Sequence, residues 1–450
     1  MAITPAMAVP IELTYTKPDG KATGRTVTSA ANGQFSMQWT PDSIGEWTIT
    51  ATWHAIGSVD YRPTKSDPPT TVQVSGPSTT FKGLDMISIP LNPANADPGA
   101  VFGVGSYALA QWQPWLTQDI KYVYYRSEQT GSSTQIMLGS GYWIKVNSPT
   151  LTVSPSGTLA SKGSNYLIRL SPGWNMIGCP FNGSVNWGAL RVRRIAGGSY
   201  ETVDLATAAS RGWIRSYGWA FQQSASNPFT GEYKLVDHTR NGALDKIEPW
   251  RGYWVKAIDA NIWLVIPPPG TPSMEGNKSA STASADQSGW EVGLSASIGD
   301  LTDADNGLGV ASIASRIESP TYLDSYVDLY FTDGKGGFYA YDKRAKASAG
   351  DSWTFRVATD QTDGLVEIAW KGIEDLPAGW TLTLTDEATG KEPDILEQPH
   401  CCDIKEDRRN NCSDIISLIK GMHGIIMTGI TEPDGKHSYD RSNEAKCTNN

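Results

Sequence analysis

The strongest constraint on this chain is an internal duplication. Gly83-Leu-Asp-Met-Ile-Ser-Ile-Pro-Leu-Asn92 returns, position for position, as Gly173-Trp-Asn-Met-Ile-Gly-Cys-Pro-Phe-Asn182. Each copy closes on its own Gly-Tyr-Trp, as Gly141-Tyr-Trp-Ile-Lys-Val146 and Gly252-Tyr-Trp-Val-Lys-Ala257, and one more apolar strand follows each, Leu151–Val153 and Ile262–Ile266. A match at both ends marks one supersecondary unit used twice, over 81–160 and 165–268. The second copy is longer, because Asp204 through Ser210, with Gly212 just beyond, reads as an N-capped short helix with a glycine stop. The Gly-Tyr-Trp run serves either as an aromatic closing strand packed on the Trp-Asn-Met-Ile strand or as a ligand platform.

Elsewhere the apolar residues recur with period two, the spacing of half-buried strands. Ile11, Leu13 and Tyr15 alternate, as do Phe35, Met37 and Trp39, and then Trp47, Ile49, Ala51 and Trp53. Five to seven strands over 8–74, with turns at Lys17-Pro-Asp-Gly20, Asn32-Gly33 and Pro41-Asp42, predict a small sandwich. Pro267-Pro-Pro-Gly270 and the Ser, Thr and Ala run behind it predict a flexible linker over 267–289. Alternation returns over 290–390, from Trp290, Val292 and Leu294 to Trp380, Leu382 and Leu384, and predicts a second sandwich. The tail, 391–450, is charged and poor in this pattern, and reads as disordered or foreign to the array. The 45 Gly, 27 Pro and only 19% charged residues of the 450 suit short strands and many turns, so the expected fold class is all-β, with serial Ig-like sandwiches, a duplicated β module and little helix.

Three resemblances bear on function. Tyr15-Thr-Lys-Pro-Asp-Gly20, Asn32-Gly-Gln-Phe35 and Thr40-Pro-Asp-Ser-Ile-Gly-Glu-Trp47 resemble bacterial immunoglobulin-like modules, which act as spacers or adhesive units in exported proteins. The duplicated region, including Ala208–Trp213 and Ile247-Glu-Pro-Trp-Arg-Gly-Tyr-Trp254, resembles a repeat of large secreted bacterial proteins that sits downstream of a functional domain such as a protease or glycosidase. Gly289-Trp290, Asp303-Ala-Asp-Asn-Gly307, Tyr339–Arg344 and Leu382-Thr-Leu-Thr-Asp386 resemble the domain that often precedes a C-terminal Ig-like or sorting domain; the family pattern ends with one more aromatic-bearing strand, and this chain departs from it after Glu392.

With 37 basic against 47 acidic residues, net −10, and no basic block, the chain is not expected to bind nucleic acid or an anionic membrane through a basic patch. The apolar stretch Ile415–Ile430 contains Lys420 and His423 and falls short of the ~20 residues a bilayer needs, so no membrane span is expected. Met1–Pro10 lacks the pattern of a signal peptide and runs straight into a strand. The expectation is an internal piece of a longer exported protein, located outside the cell or at its surface.

Little in the sequence promises catalysis. There is no Gly-x-Ser-x-Gly or His-Glu-x-x-His, and of the five histidines His54 and His238 read as solvated strand or loop residues, the other three lying in the tail. Cys179, alone in the first 400 residues, alternates with apolar neighbours and reads as a core thiol; in the tail, Cys401-Cys402 adjacency argues against a zinc site with His400 and Cys412. Asp333-Gly-Lys-Gly-Gly337 reads as a hairpin turn. Asp300-Leu-Thr-Asp-Ala-Asp-Asn-Gly307 reads as an oxygen-rich calcium loop, with Asp300, Asp303 and Asp305 as ligands, or as a plain Asx turn. Among the 17 Trp and 18 Tyr, a cluster between the repeat ends falls out of phase with the strands: Trp112, Trp115, Tyr122, Tyr124, Tyr125, Trp213, Tyr217 and Trp219. Trp112, Trp115, Tyr124, Tyr125, Trp213 and Trp219 are the candidates for a glycan or protein contact. The function expected is a non-catalytic surface, adhesion or spacer array whose partners are cell-envelope or extracellular proteins or glycans; the alternative is a carbohydrate-binding accessory region of a larger secreted hydrolase.

Overall fold

A computed structural model describes residues 7–18, 20–55, 62–103, 105–116, 121–126, 135–273, 289–312, 314–323, 325–333, 335–348, 351–362, 364–386, 400–403 and 411–420. The chain is all-β, with strands in several sheets. It divides into two compact units, Met1–Gly218 with Val236–Glu275, and Trp219–Leu235 with Gly276–Asn450.

In the first unit, Pro10–Thr16 pairs with both Ala22–Thr28 and Gly45–Trp53, in a five-stranded sheet. Ile11, Leu13 and Tyr15 point to one face, as their alternation predicts, and pack with Trp47 and Trp53. The Phe35, Met37 and Trp39 stretch, expected as a strand, is not one. It crosses the sheet as coil: Trp39 stacks on Tyr15 at 5.2 Å and meets Trp47 edge-on at 4.7 Å, and the Tyr15 hydroxyl donates to Met37 Sδ (3.4 Å). Phe35 and Trp39 pack against the core while Met37 is exposed, and the backbone here forms no strand. The short helix appears where its signals place it, at Leu205–Ser210, with Asp204 accepting from the Thr207 amide and Gly212 at φ 71°. Of the expected linker, Pro267–Ser273 is described: Pro267 is buried, and the Thr271 amide and hydroxyl both donate to Pro268 O. Residues 274–288 lie outside the described residues.

In the second unit one ten-stranded sheet carries the core. Apolar residues of strands throughout its order, among them Val292, Leu308, Leu329, Phe355, Ile368 and Leu384, join in a single cluster, so the sheet curls around one interior. Trp290–Ile298 and Leu301–Val310 form a hairpin with an irregularity after Leu294, and Val327–Thr332 turns into Phe338–Arg344 at Asp333, whose Oδ1 accepts from the Lys335 and Gly337 amides. This sheet does not stop at residue 390: His400–Asp403 pairs with Leu365–Lys371, and Asn411–Lys420 lies between Ser352–Thr359 and Trp380–Asp386. Part of the expected tail thus belongs to the sheet.

The two repeat copies carry one topology. Copy one orders its strands Thr79–Ser88, Gly141–Val153, Tyr107–Trp112, Tyr122–Arg126; copy two orders them Gly173–Gly178, Gly252–Ala257, Ile214–Gln223, Gly231–Val236. The registers agree residue for residue, since Gly141 faces Ser88 and Trp143 faces Met86 where Gly252 faces Gly178 and Trp254 faces Met176. The tyrosine of each motif fixes the loop before it: Tyr142 Oη accepts from the Met137 amide (2.9 Å), and Tyr253 Oη from the Glu248 amide (2.8 Å).

The copies also join reciprocally. The Ser88 amide donates to Trp250 O (3.0 Å), and at the equivalent place the Gly178 amide donates to Gly139 O (2.9 Å). A Cβ on Gly141 would lie 2.7 Å from Ile177 O, and one on Gly252 would lie 2.9 Å from Ile87 O. Each closing glycine therefore admits the backbone of the other copy, a contact that a side chain forbids. Gly252→Ala is expected to cost ~1–3 kcal/mol, the usual penalty of overpacking against a backbone that cannot yield. Gly163→Ala, where a Cβ meets nothing closer than 3.6 Å, should leave stability unchanged; urea denaturation of the two variants makes the comparison.

Candidate functional site

The six aromatic candidates do not form one platform. Tyr125, Trp213 and Trp219 are buried, which corrects their reading as contact residues. Tyr125 joins the core of copy one beside Tyr107; Trp213 lies under the guanidiniums of Arg211 and Arg194, at 5.1 and 5.7 Å; Trp219 donates through Nε1 to Glu318 O (3.0 Å). Trp112 is half-buried: its indole N–H donates to Trp174 O (2.8 Å), and its ring meets Tyr122 and Trp254 edge-on at 5.0 and 5.3 Å. Trp115 and Tyr124 remain, exposed at 63% and 55%. Tyr217 is buried as well. Trp115 and Trp213 lie outside the strands, so an even or odd position does not decide their exposure.

The three calcium candidates are likewise dispersed. The run from Asp300 is a turn leading into strand Leu301–Val310, where a loop was expected. Asp300 accepts from Asn227 Nδ2 (3.3 Å) and borders a shallow cleft of about 430 Å³ whose lining includes Thr230, Ile298, Ser325 and Gln361; among the described residues Asp300 is the one ionisable group in that lining. Asp305 accepts from the Leu235 amide (2.6 Å) and from the Tyr341 hydroxyl. Asp303 turns into the core and accepts from the Leu329 amide (2.8 Å). Among the described residues no three His, Cys, Asp or Glu side chains converge as a metal would need. Cys179 is in the core, its thiol pushed up to about 11 by burial.

What the sequence did not disclose is that Asp303 and Asp305 stand near Glu232 and Asp328 in the second unit, with Asp303 buried and the others partly so. Burial pushes the Asp303 carboxyl up to about 7, and the charges of Glu232 and Asp305 add to the shift. Asp328, on Val327–Thr332, is raised too, first by burial and then by Asp303, and its Oδ1 is sealed from solvent without a hydrogen-bond partner among the described residues. Tyr322 is half-buried beside these acids, stacked on Tyr326 at 5.4 Å and close to Tyr233 at 4.8 Å. Glu232 is held by Lys234 (2.8 Å) and by the Ala304 amide (3.2 Å). Asp328 sits out of phase with Val327, Leu329 and Phe331, so alternation marks it as solvent-facing and the sequence carries no signal of its enclosure.

Comparison with family models, with curated proteins and with solved structures returns no match for this chain. No helix among the described residues is long and apolar enough to cross a membrane.

The cluster sets a pH dependence. Folded Asp303 keeps its proton up to about pH 7, whereas the unfolded chain releases it near 3.8, so folding binds protons between these values. The stabilisation from this proton is complete below the unfolded value and is lost as pH rises through about 7. Hydrogen-exchange protection of Leu301–Val310 and Val327–Thr332 should therefore weaken across that window, and Asp303→Asn should flatten the slope while keeping an acceptor for the Leu329 amide.

Proposed function

We propose that this chain is a non-catalytic stretch of an extracellular or cell-surface protein that spaces and attaches other domains. The observation that carries the reading is the reciprocal clasp between the repeat copies, in which each copy supplies one backbone donor and one glycine to the other. Such a joint has no flexible hinge and transmits load through hydrogen bonds that must break together. The placement of large aromatics agrees with a structural role: Trp143, Trp187, Trp254 and Trp353 are spent inside cores. The resemblance to modules of exported bacterial proteins supports the location. A carbohydrate-binding accessory role at the repeat ends rests on Trp115 and Tyr124, the two of six candidates that are exposed.

Pulled by its two ends in a single-molecule force experiment, the chain should lose both repeat copies in one event. Separate yielding of the copies would defeat the rigid-spacer reading. The purified chain should also release no reducing sugar from soluble or insoluble polysaccharides; turnover there would replace the proposal with an enzyme.

A further inference from the structure

The second copy carries a small sheet whose outer face has no assigned role. Its strands are ordered Tyr166–Leu170, Ile262–Ile266, Arg191–Ala196, Ser199–Asp204. One face is core: Ile168, Leu264, Val192 and Val203 stand in a row, with Leu264 and Val192 fully buried. On the other face the register aligns Arg169, Trp263, Arg193 and Thr202 across all four strands. Next to this row stand Ile195 and Tyr200, exposed at 40% and 65%. The row on its other side is closed, since Val265 is buried between Leu167 and Arg191.

The register places a half-buried tryptophan position between two arginine positions. Neighbouring strands lie ~4.8 Å apart, so the two arginine positions are separated by ~10 Å, with Trp263 midway. Arg193 is held in place before any ligand arrives: its Nε donates to Thr202 Oγ1 (3.2 Å), and its guanidinium lies 4.2 Å from the centre of the Tyr200 ring. A planar fork already fixed gives up little entropy on binding a carboxylate or sulfate in bidentate fashion. The acid nearest on this face is Asp204, and both its oxygens accept from Thr207, one from the amide and one from the hydroxyl. In a chain of net charge −10, this face concentrates positive charge around an aromatic ring.

We propose that this face binds an acidic polysaccharide. A sugar ring stacks on the Trp263 indole, and the carboxylates or sulfates of the flanking sugars reach Arg169 and Arg193. The charge complementarity selects an anionic chain, and the flat aromatic between the charges selects one with a planar apolar face. A polyphosphate has no ring to lay against Trp263, so an anionic glycan, which offers both charge and a planar apolar face, fits better. The inference is independent of the spacer reading and supplies the array with a point of attachment.

The test uses the full chain in low-salt buffer, with immobilised polygalacturonate as the probe and dextran and single-stranded DNA as comparisons. Polygalacturonate should retain the protein, with binding weakened ~10-fold or more in Arg169→Gln/Arg193→Gln and less strongly in Tyr200→Ser, a change at an exposed ring. Thermal unfolding of each variant matched to the wild type shows that the loss is local. Trp115→Ala, at the exposed aromatic of the first copy, should bind as the wild type does. The proposal is overturned by a folded wild type that polygalacturonate does not retain, by arginine variants that bind unchanged, or by arginine-dependent binding to DNA at equal strength. None of these outcomes alters the force measurement, so the two readings fail separately.

Discussion

Everything in the repeated region depends on two backbones approaching where a side chain would hold them apart. Gly141 faces Ile177 and Gly252 faces Ile87, each at a distance that leaves no room for a Cβ. Once the glycine is seated, the rest of each motif is determined. The following tyrosine turns inward and spends its hydroxyl on the loop amide five residues back. The tryptophan turns to the opposite face, where Trp143 donates to the Tyr122 hydroxyl and Trp254 meets Trp112 and Trp174 edge-on. A strand covered on both faces needs apolar bulk on both faces, and this is why Gly-Tyr-Trp is uniformly buried in both copies.

Polar residues inside the two units follow contrasting rules. Asn175 is satisfied by its own turn: Oδ1 accepts from the Ser171 amide, and Nδ2 donates to Ser171 O and Gly173 O. Its counterpart Asp85 has no amide to donate; burial raises its carboxyl to about 6, with the Met86 amide and the Arg251 charge opposing the shift. In the second unit the acids are gathered instead of distributed: burial raises both Asp303 and Asp328, and neighbouring carboxylates add to each shift. A carboxamide thus locks a turn at one repeat position, while the carboxyl at the matching position and those of the second unit are raised by burial.

The sequence disclosed what is local or repeated. The helix after Asp204 could be read from its cap and its glycine, and the two copies from matched ends. It misled where a pattern has two causes. Phe35 and Trp39 pack over the sheet from coil while Met37 is exposed, so their alternation reports contact with the core without reporting pairing. The run from Asp300 to Gly307 looks like a loop because it is polar, yet it forms a strand: Asp303 and Asn306 are buried, and the irregularity opposite Leu294 shifts the phase between them. The aromatic cluster could be named but not sorted, since whether Trp115 is wet and Trp219 dry depends on strands distant in sequence. The Arg169, Trp263 and Arg193 row was invisible for the same reason, its members coming from three strands.

The reciprocity of the clasp has a consequence for the origin of the region. When residue i of one copy meets residue j of the other and j of the first meets i of the second, the contact is isologous, the pattern of a two-fold dimer. Gly178 and Ser88 occupy the place of the axis, where a Cβ on the glycine would fall 2.1 Å from the serine Cβ. Two identical serines could not both stand there. The tandem copies are in effect a homodimer made covalent, and fusion released the axial position from symmetry, allowing one half to keep a side chain and the other to surrender it.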